Sequence, residues 1–86
     1  MADFMTMPVV LQERGFRFFF YSNEGDPREP VHVHVEKGGV EAKFWLQPEV
    51  RIAYNNGFRA QTLREIKELV FWHRKRLEEA WYEFFS

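Results

Sequence analysis

The sequence predicts an α+β fold in which an antiparallel meander of four to five strands carries one long C-terminal helix packed on one face. The pair Gly38-Gly39 separates two segments that alternate apolar and polar residues, as the arms of a hairpin do. From Thr62 onward the apolar residues change to steps of three and four, which is typical of a helix. Aromatic residues make up 19% of the chain and can supply the core of so small a protein.

The length of the chain, 86 residues, allows one domain with a single core. We place a flexible N-terminal tail at residues 1–8 and a single α+β domain at residues 9–86. Residues 9–13 form the first short strand, and residues 16–21, which are aromatic on both faces, form a central one. Residues 22–30 are rich in turn-forming types and predict a loop of about nine residues. The last strand is expected at residues 50–54.

The hairpin has a predictable register because glycine adopts the positive φ of a two-residue turn without steric cost. A turn at Gly38-Gly39 pairs one strand with the other so that apolar side chains share one face: Val31, Val33, Val35, Ala42, Phe44 and Leu46. The opposite face, called the histidine face below, carries His32, His34, Glu36, Glu41, Lys43 and Trp45. Because the apolar face covers the core, we expect the histidine face to point away from the helix, toward solvent, a ligand or another chain.

The C-terminal helix is predicted from an apolar stripe made of Leu63, Ile66, Val70, His73, Leu77, Ala80 and Phe84. The segment Thr62-Leu63-Arg64-Glu65 has the form of a capping box, so the helix is expected to begin there. His73 is interpreted as a core histidine bonded to backbone or to a tyrosine. Phe71 and Tyr82 lie off the stripe and are expected to form a contact surface for another chain.

Composition excludes several classes of function. No cysteine is present, which excludes disulfides, a thiolate nucleophile and thiolate metal sites. The net charge of −1 argues against tight nucleic-acid binding through bulk charge, and leaves only a local basic patch for that role. No stretch approaches the roughly 18 apolar residues of a membrane span. We therefore expect a cytoplasmic protein that does not bind a membrane.

The histidine face allows three interpretations, which the sequence leaves open. In a metal site, His32 and His34 could share one ion, because alternate residues of a strand lie about 7 Å apart on one side. Only these two ligands have convincing spacing, so no metal and no cofactor is expected. Alternatively, the face is solvated or packed against a partner and performs no chemistry. Glu36 and Glu41 face each other in the register and need a nearby cation.

The third interpretation is acid–base catalysis. Histidine titrates near neutrality, so His32 and His34 could act as general base and general acid in cleavage of RNA, with Lys43 beside His34. In that case Arg17 or Arg28 would neutralise the phosphate, and Trp45 would stack on an exposed base. The residues predicted for binding are Glu36, Glu41, Trp45, Arg17 and Arg28.

Four blocks of the sequence together resemble one known family. They read GFRFFFYS at 15–22, PVHVHV at 30–35, EAKFWL at 41–46 and WYEFF at 81–85. Their order and spacing resemble small bacterial proteins catalogued as domain of unknown function 4160, over about residues 8 to 86. The resemblance implies a prokaryotic protein encoded beside a second small protein, as in a toxin–antitoxin module. It implies no catalytic residues. The segment at 26–30 that leads into the hairpin is longer here than the short Pro-Pro segment at the same place in the family.

From these observations we expect a component of a bacterial two-gene toxin–antitoxin-like module that acts on RNA through the His32/His34 strand face. Such an activity would be ribonuclease-like and independent of metal. The alternative is a non-catalytic binding or regulatory protein that docks a protein partner or nucleic acid on the same face. The expected partners are the small protein encoded by the adjacent gene and RNA, and an oligomer is compatible with the sequence.

Overall fold

The computed structural model describes residues 9–24 and 28–85, and within them it contains five strands and two α-helices. The strands are β1 (Val9–Glu13), β2 (Phe16–Phe19), β3 (His32–Lys37), β4 (Val40–Trp45) and β5 (Arg51–Asn56). The helices are α1 (Ala60–Trp72) and α2 (Arg74–Phe84), and a short 3-10 turn spans Ser22–Glu24. The predicted tail at 1–8 lies outside the described residues. Neither helix combines the length and the apolar content that crossing a membrane requires.

The sheet confirms the predicted antiparallel meander, because its strands lie in the order β1-β2-β3-β4-β5 and each pairs with the next. The predicted hairpin register is also confirmed: His32 pairs with Trp45, His34 with Lys43 and Glu36 with Glu41. Gly38 and Gly39 have φ values of +61° and +83°, as the two-residue turn requires. One correctly placed turn therefore determines which side chains share each face of β3 and β4.

The core lies between the apolar face of the sheet and the two helices. Its buried members from the strands and adjoining residues are Phe16, Phe18, Phe20, Val31, Val33, Val35, Ala42, Phe44, Leu46 and Val50. The helices contribute Ile66, Leu69, Val70, Leu77 and Trp81. β2 ends at Phe19 and not at residue 21, because the chain turns there: the backbone N–H of Glu24 donates to the carbonyl of Tyr21 over 3.1 Å.

The prediction of one long C-terminal helix was wrong, because the helix is interrupted at His73. The backbone of His73 has φ −101° and ψ 12°, outside the helical region, although amide bonds from His73 to Leu69 and from Leu77 to His73 continue on either side. The His73 imidazole lies 2.6 Å from a carboxylate oxygen of Glu13 in β1, so it is a partly buried hydrogen-bond partner of Glu13 and not a core histidine bonded to backbone or to a tyrosine. The break lets α1 contact β5 while α2 contacts β3.

The predicted capping box at Thr62 was also wrong. Helix α1 begins at Ala60, its N-cap is Arg59, and no side chain caps it. The start is set by the turn before the helix: Asn55 donates from Nδ2 to the carbonyl of Phe58 over 2.8 Å and accepts from the Phe58 amide over 2.9 Å. The closed turn places Arg59 at the cap position, where its carbonyl accepts the first helical bond, from Leu63.

Candidate functional site

The histidine face is covered at its centre, which corrects the expectation that it points outward. His32 and His34 are 0% and 2% exposed. The ring of Phe19 stacks on His34 with centroids 5.5 Å apart, and the ring of Tyr21 meets it edge-on at 4.5 Å. His32 also lies 4.7 Å from the ring of Trp81 in α2, so this histidine is not separated from the helices as predicted. The centre of the face is therefore an interior surface, whereas its outer members such as Glu36 and Trp45 are partly exposed.

Glu24 joins the two histidines. The 3-10 turn directs its carboxylate under β3, where Oε1 lies 2.8 Å from His32 Nε2 and Oε2 lies 2.7 Å from His34 Nε2. The Tyr21 amide donates to Oε1 over 3.1 Å and holds the turn in place. Burial raises the pKa of Glu24, but the short contacts with His32 and His34, and the positive charge of these rings when they are protonated, outweigh burial and lower that pKa to about 2. Glu24 is therefore a buried carboxylate.

The other ring nitrogen of each histidine is also occupied. His32 Nδ1 lies 2.8 Å from the carbonyl oxygen of Pro30, and His34 Nδ1 lies 2.9 Å from Oε2 of Glu41. A carbonyl or carboxylate oxygen can only accept, so both Nδ1 atoms carry the proton. Both Nε2 atoms consequently point at Glu24. Glu24, His32, His34 and Glu41 are called the histidine–carboxylate cluster below.

Glu41 accepts hydrogen bonds from two tyrosines as well. The Tyr21 hydroxyl donates to Oε1 over 2.8 Å, and the Tyr54 hydroxyl donates to Oε2 over 2.6 Å. Burial and the bond to Glu41 raise the pKa of Tyr21 to about 12, and the same causes raise the pKa of Tyr54. Glu36, which faces Glu41 in the register, lies 3.4 Å from Arg17 Nε. The facing carboxylates are thus stabilised separately, one by hydroxyls and a histidine and the other by an arginine.

The cations predicted to bind phosphate are paired within the protein. Lys43 lies 2.9 Å from a carboxylate oxygen of Glu29, and its ammonium is 4.6 Å from the ring centroid of Trp45. Arg28 donates to the backbone carbonyl of Phe85 and so ties the loop to the end of α2. Arg17 is bound to Glu36 as described above. Lys43, which pairs with His34 in the register, therefore lies near the two histidines, whereas Arg28 is bound elsewhere.

A cleft of about 310 Å³ leads from solvent to the cluster. Its lining residues are Tyr21, Asn23, Glu24, Glu29, His34, Lys43 and Tyr54. Two of these residues are carboxylates and one is an ammonium, so the wall of the cleft favours a cation over a phosphate group. His34 and Glu24 form part of this wall, whereas His32 lies behind it.

A second concave surface lies along α1 and is called the α1 groove. It encloses about 570 Å³ and is lined by Glu49, Val50, Arg64, Lys67, Glu68, Phe71, Trp72 and Arg74. Phe71 and Trp72 are 65% and 79% exposed. The predicted surface residue Phe71 belongs to this groove, whereas Tyr82 does not line it and donates instead to Gln47 over 3.3 Å. The exposed aromatic residue that accompanies Phe71 in this groove is therefore Trp72, and not Tyr82 as predicted.

Sequence reasoning missed five of the residues that line the cleft beside His34: Tyr21, Asn23, Glu24, Glu29 and Tyr54. Tyr54 pairs with Lys43 across β4 and β5, so extending the hairpin register to the next strand could have found it. Tyr21 and Glu24 are brought there by an irregular turn, for which the sequence carries no periodic signal. Trp72 was missed at the groove, although its place next to Phe71 and off the apolar stripe was a usable signal.

Comparison with known protein families gives a match over most of the chain. Residues 15–82 match the model of the family described as Domain of unknown function (DUF4160). The matched range covers β2 to most of α2 and includes the histidine–carboxylate cluster and the α1 groove. No curated protein and no solved structure matches the chain.

Proposed function

We propose that this chain, which belongs to the family described as Domain of unknown function (DUF4160), is the binding component of a bacterial two-gene module of the toxin–antitoxin type. Its partner is the small protein encoded by the adjacent gene, held in the α1 groove. The observation that carries this proposal is the pair of neighbouring aromatic side chains, Phe71 and Trp72, that line a groove while remaining mostly exposed. Large exposed aromatic residues of this kind are typical of protein interfaces.

The chemistry around the aromatic pair favours a protein partner over a nucleic acid. Arg64 and Lys67 line the groove and form no ion pair with any residue that the structure describes. Glu49 and Glu68 line it too and balance these two cations, and the remaining cation of the groove, Arg74, is paired with Glu78, so the groove has no excess positive charge to attract the phosphates of a nucleic acid. An apolar centre with charges of both signs at the rim matches the usual anatomy of a protein–protein interface. The partner segment should therefore insert an apolar side chain against Trp72.

The surface suited to this partner extends beyond the groove itself. Arg64 and Lys67 also line a neighbouring cleft of about 280 Å³, together with Ile52, Leu63 and others between α1 and the sheet. Ile52 is exposed although it is apolar. One partner segment that follows α1 could therefore contact both depressions.

Ribonuclease-like chemistry at the histidine face is the second candidate. The cleft that reaches His34 and Lys43 favours it, because a substrate could approach these groups from solvent. The burial of His32, the pairing of Lys43 with Glu29 and the carboxylates in the cleft oppose it. Binding through the α1 groove is therefore the proposal that the geometry supports best.

The proposal predicts that Trp72→Ala disrupts binding of the adjacent gene's product. Removing an aromatic residue from the centre of an interface costs about 2 kcal/mol or more, which corresponds to about thirtyfold in affinity. The matched control is Tyr82→Ala, because Tyr82 is also an exposed aromatic residue but lies outside the groove. Affinity is measured by calorimetry with the purified product of the adjacent gene. The control should change it by less than about threefold.

Two outcomes would contradict this proposal. In the first, Trp72→Ala binds the partner as tightly as the unchanged chain. In the second, the purified chain cleaves RNA in the presence of EDTA, and a folded His34→Gln variant does not. That result would support the second candidate.

A further inference from the structure

We propose that Glu24, His32 and His34 form a binding site for one divalent transition-metal ion, for which Zn²⁺ is the best match. One ligand atom from each of the three residues lies within 4.8 Å of the others. All three side chains are buried, with exposures of 9%, 0% and 2%. The inference is independent of the α1 groove, which shares none of these residues.

The direction of the nitrogen atoms is the strongest argument for this site. Because the Nδ1 atoms of both histidines are held by Pro30 and Glu41, the second ring nitrogen of each, Nε2, faces the carboxylate of Glu24. Contacts this short between a ring nitrogen and a carboxylate oxygen require a cation between the two atoms, which is either a proton or a metal ion. His32 Nε2 is buried and makes no well-directed hydrogen bond, although a Glu24 oxygen is only 2.8 Å away. A metal ion satisfies both nitrogens and the carboxylate together.

The residues behind the histidines fit the same interpretation. Histidine ligands of metals usually donate the other ring N–H to a carboxylate or a backbone carbonyl, which orients the ring. Here Glu41 supplies the carboxylate for His34 and Pro30 supplies the carbonyl for His32. Glu41 is held in turn by Tyr21 and Tyr54. Both rings are therefore fixed with Nε2 directed at a common point.

The donor set determines the class of metal. Two imidazole nitrogens and one carboxylate, with a fourth position left for water, are the pattern of open zinc sites. Zinc bonds of about 2.0–2.1 Å in a tetrahedron place ligand atoms about 3.3 Å apart. Glu24 must therefore withdraw by about half an ångström from its contacts of 2.8 and 2.7 Å with the histidines, and the ligand atoms that are separated by up to 4.8 Å must move closer together. Nitrogen donors favour zinc and its neighbours over Mg²⁺ and Ca²⁺, which prefer oxygen. The cleft beside Glu24 and His34 provides the route of entry.

The experiment is a titration of the untagged chain with Zn²⁺ alone, in competition with a chromogenic chelator, after EDTA treatment and removal of the EDTA. We expect one Zn²⁺ per chain and no comparable binding of Mg²⁺. Glu24→Gln and His34→Gln should each weaken binding by about a hundredfold or more, because each removes a ligand. Glu41→Gln should weaken it by about 10–100-fold, since it changes only the group that orients His34.

Matched controls come from the same chain. Glu29→Gln alters the cleft without removing a ligand, and His73→Gln removes the remaining histidine, which is bound to Glu13. Both should bind Zn²⁺ within about threefold of the unchanged chain. Because the ligand variants could fail to fold, the unchanged chain is also melted with and without Zn²⁺, and its Tm should rise with Zn²⁺ but not with Mg²⁺. The inference is overturned if no Zn²⁺ binds at one per chain, if Tm is unaffected, or if folded ligand variants bind as tightly as the unchanged chain.

Discussion

Trp81→Ala is expected to lower the free energy of unfolding by about 3–5 kcal/mol, the range for removing a large aromatic side chain from a core. Trp81 is fully buried and its ring lies 5.4 Å from Phe20 and 4.2 Å from Phe85. It also contacts His32 at 4.7 Å, so it joins the core to the histidine–carboxylate cluster. The indole N–H has no hydrogen-bond partner among the described residues, so the loss comes from packing alone.

A loss of this size is a large part of the 5–15 kcal/mol that stabilises a typical small protein. It is measured by urea unfolding followed by far-ultraviolet circular dichroism. The control is Tyr82→Ala at the adjacent position, which is exposed and should change stability by less than about 1 kcal/mol. Equal effects of the two substitutions would show that Trp81 is not the buried anchor described here.

Glu24→Ala is expected to destabilise the chain by about 3–5 kcal/mol when metal is removed with EDTA. The reason is that His32 and His34 lose the carboxylate that both Nε2 atoms face, which leaves two buried polar groups without their charged partner. The same turn also loses the bond from the Tyr21 amide to Glu24. The effect is measured by the same urea unfolding, with EDTA present throughout so that metal binding does not contribute.

Glu29→Ala is the matched control, because Glu29 belongs to the same loop and also forms an ion pair. Its side chain is 40% exposed and its partner Lys43 keeps the contact with Trp45. A partly exposed pair contributes about 0–1 kcal/mol, so the control should be several times milder. A Glu24→Ala effect no larger than the control would mean that the cluster does not hold the loop against the sheet.

The sequence was sufficient for the hairpin because its information is local. Gly38-Gly39 determines a turn, and alternation along each arm then determines the register and the two faces, as observed for His34 and Lys43. The meander follows for a similar reason, since short connections between strands favour antiparallel neighbours. At the break between the helices, by contrast, His73 contacts Glu13, which is 60 positions away in the chain, and no periodicity can report such a contact.

The sequence predicted which side chains form the candidate site, but it did not predict that the two histidines are buried. Alternation showed that His32 and His34 share a face, yet that face is covered by aromatic residues from other strands, such as Phe19 and Tyr54. The aromatic residues on both faces of β2 were the one sequence signal that the polar side is also packed. Glu24 was beyond prediction, because its position depends on an irregular turn and not on a repeat.

We propose that the α1 groove, and not the histidine face, holds the partner protein. Hydrogen exchange on the chain alone and in complex with the adjacent gene's product distinguishes the two surfaces. We expect slower exchange in the complex for amides at 64–74 and for those of Glu49 and Val50, with β3 unchanged because its histidines are already buried. Protection confined to β3 and β4, with α1 unaffected, would show that the partner binds the histidine face instead.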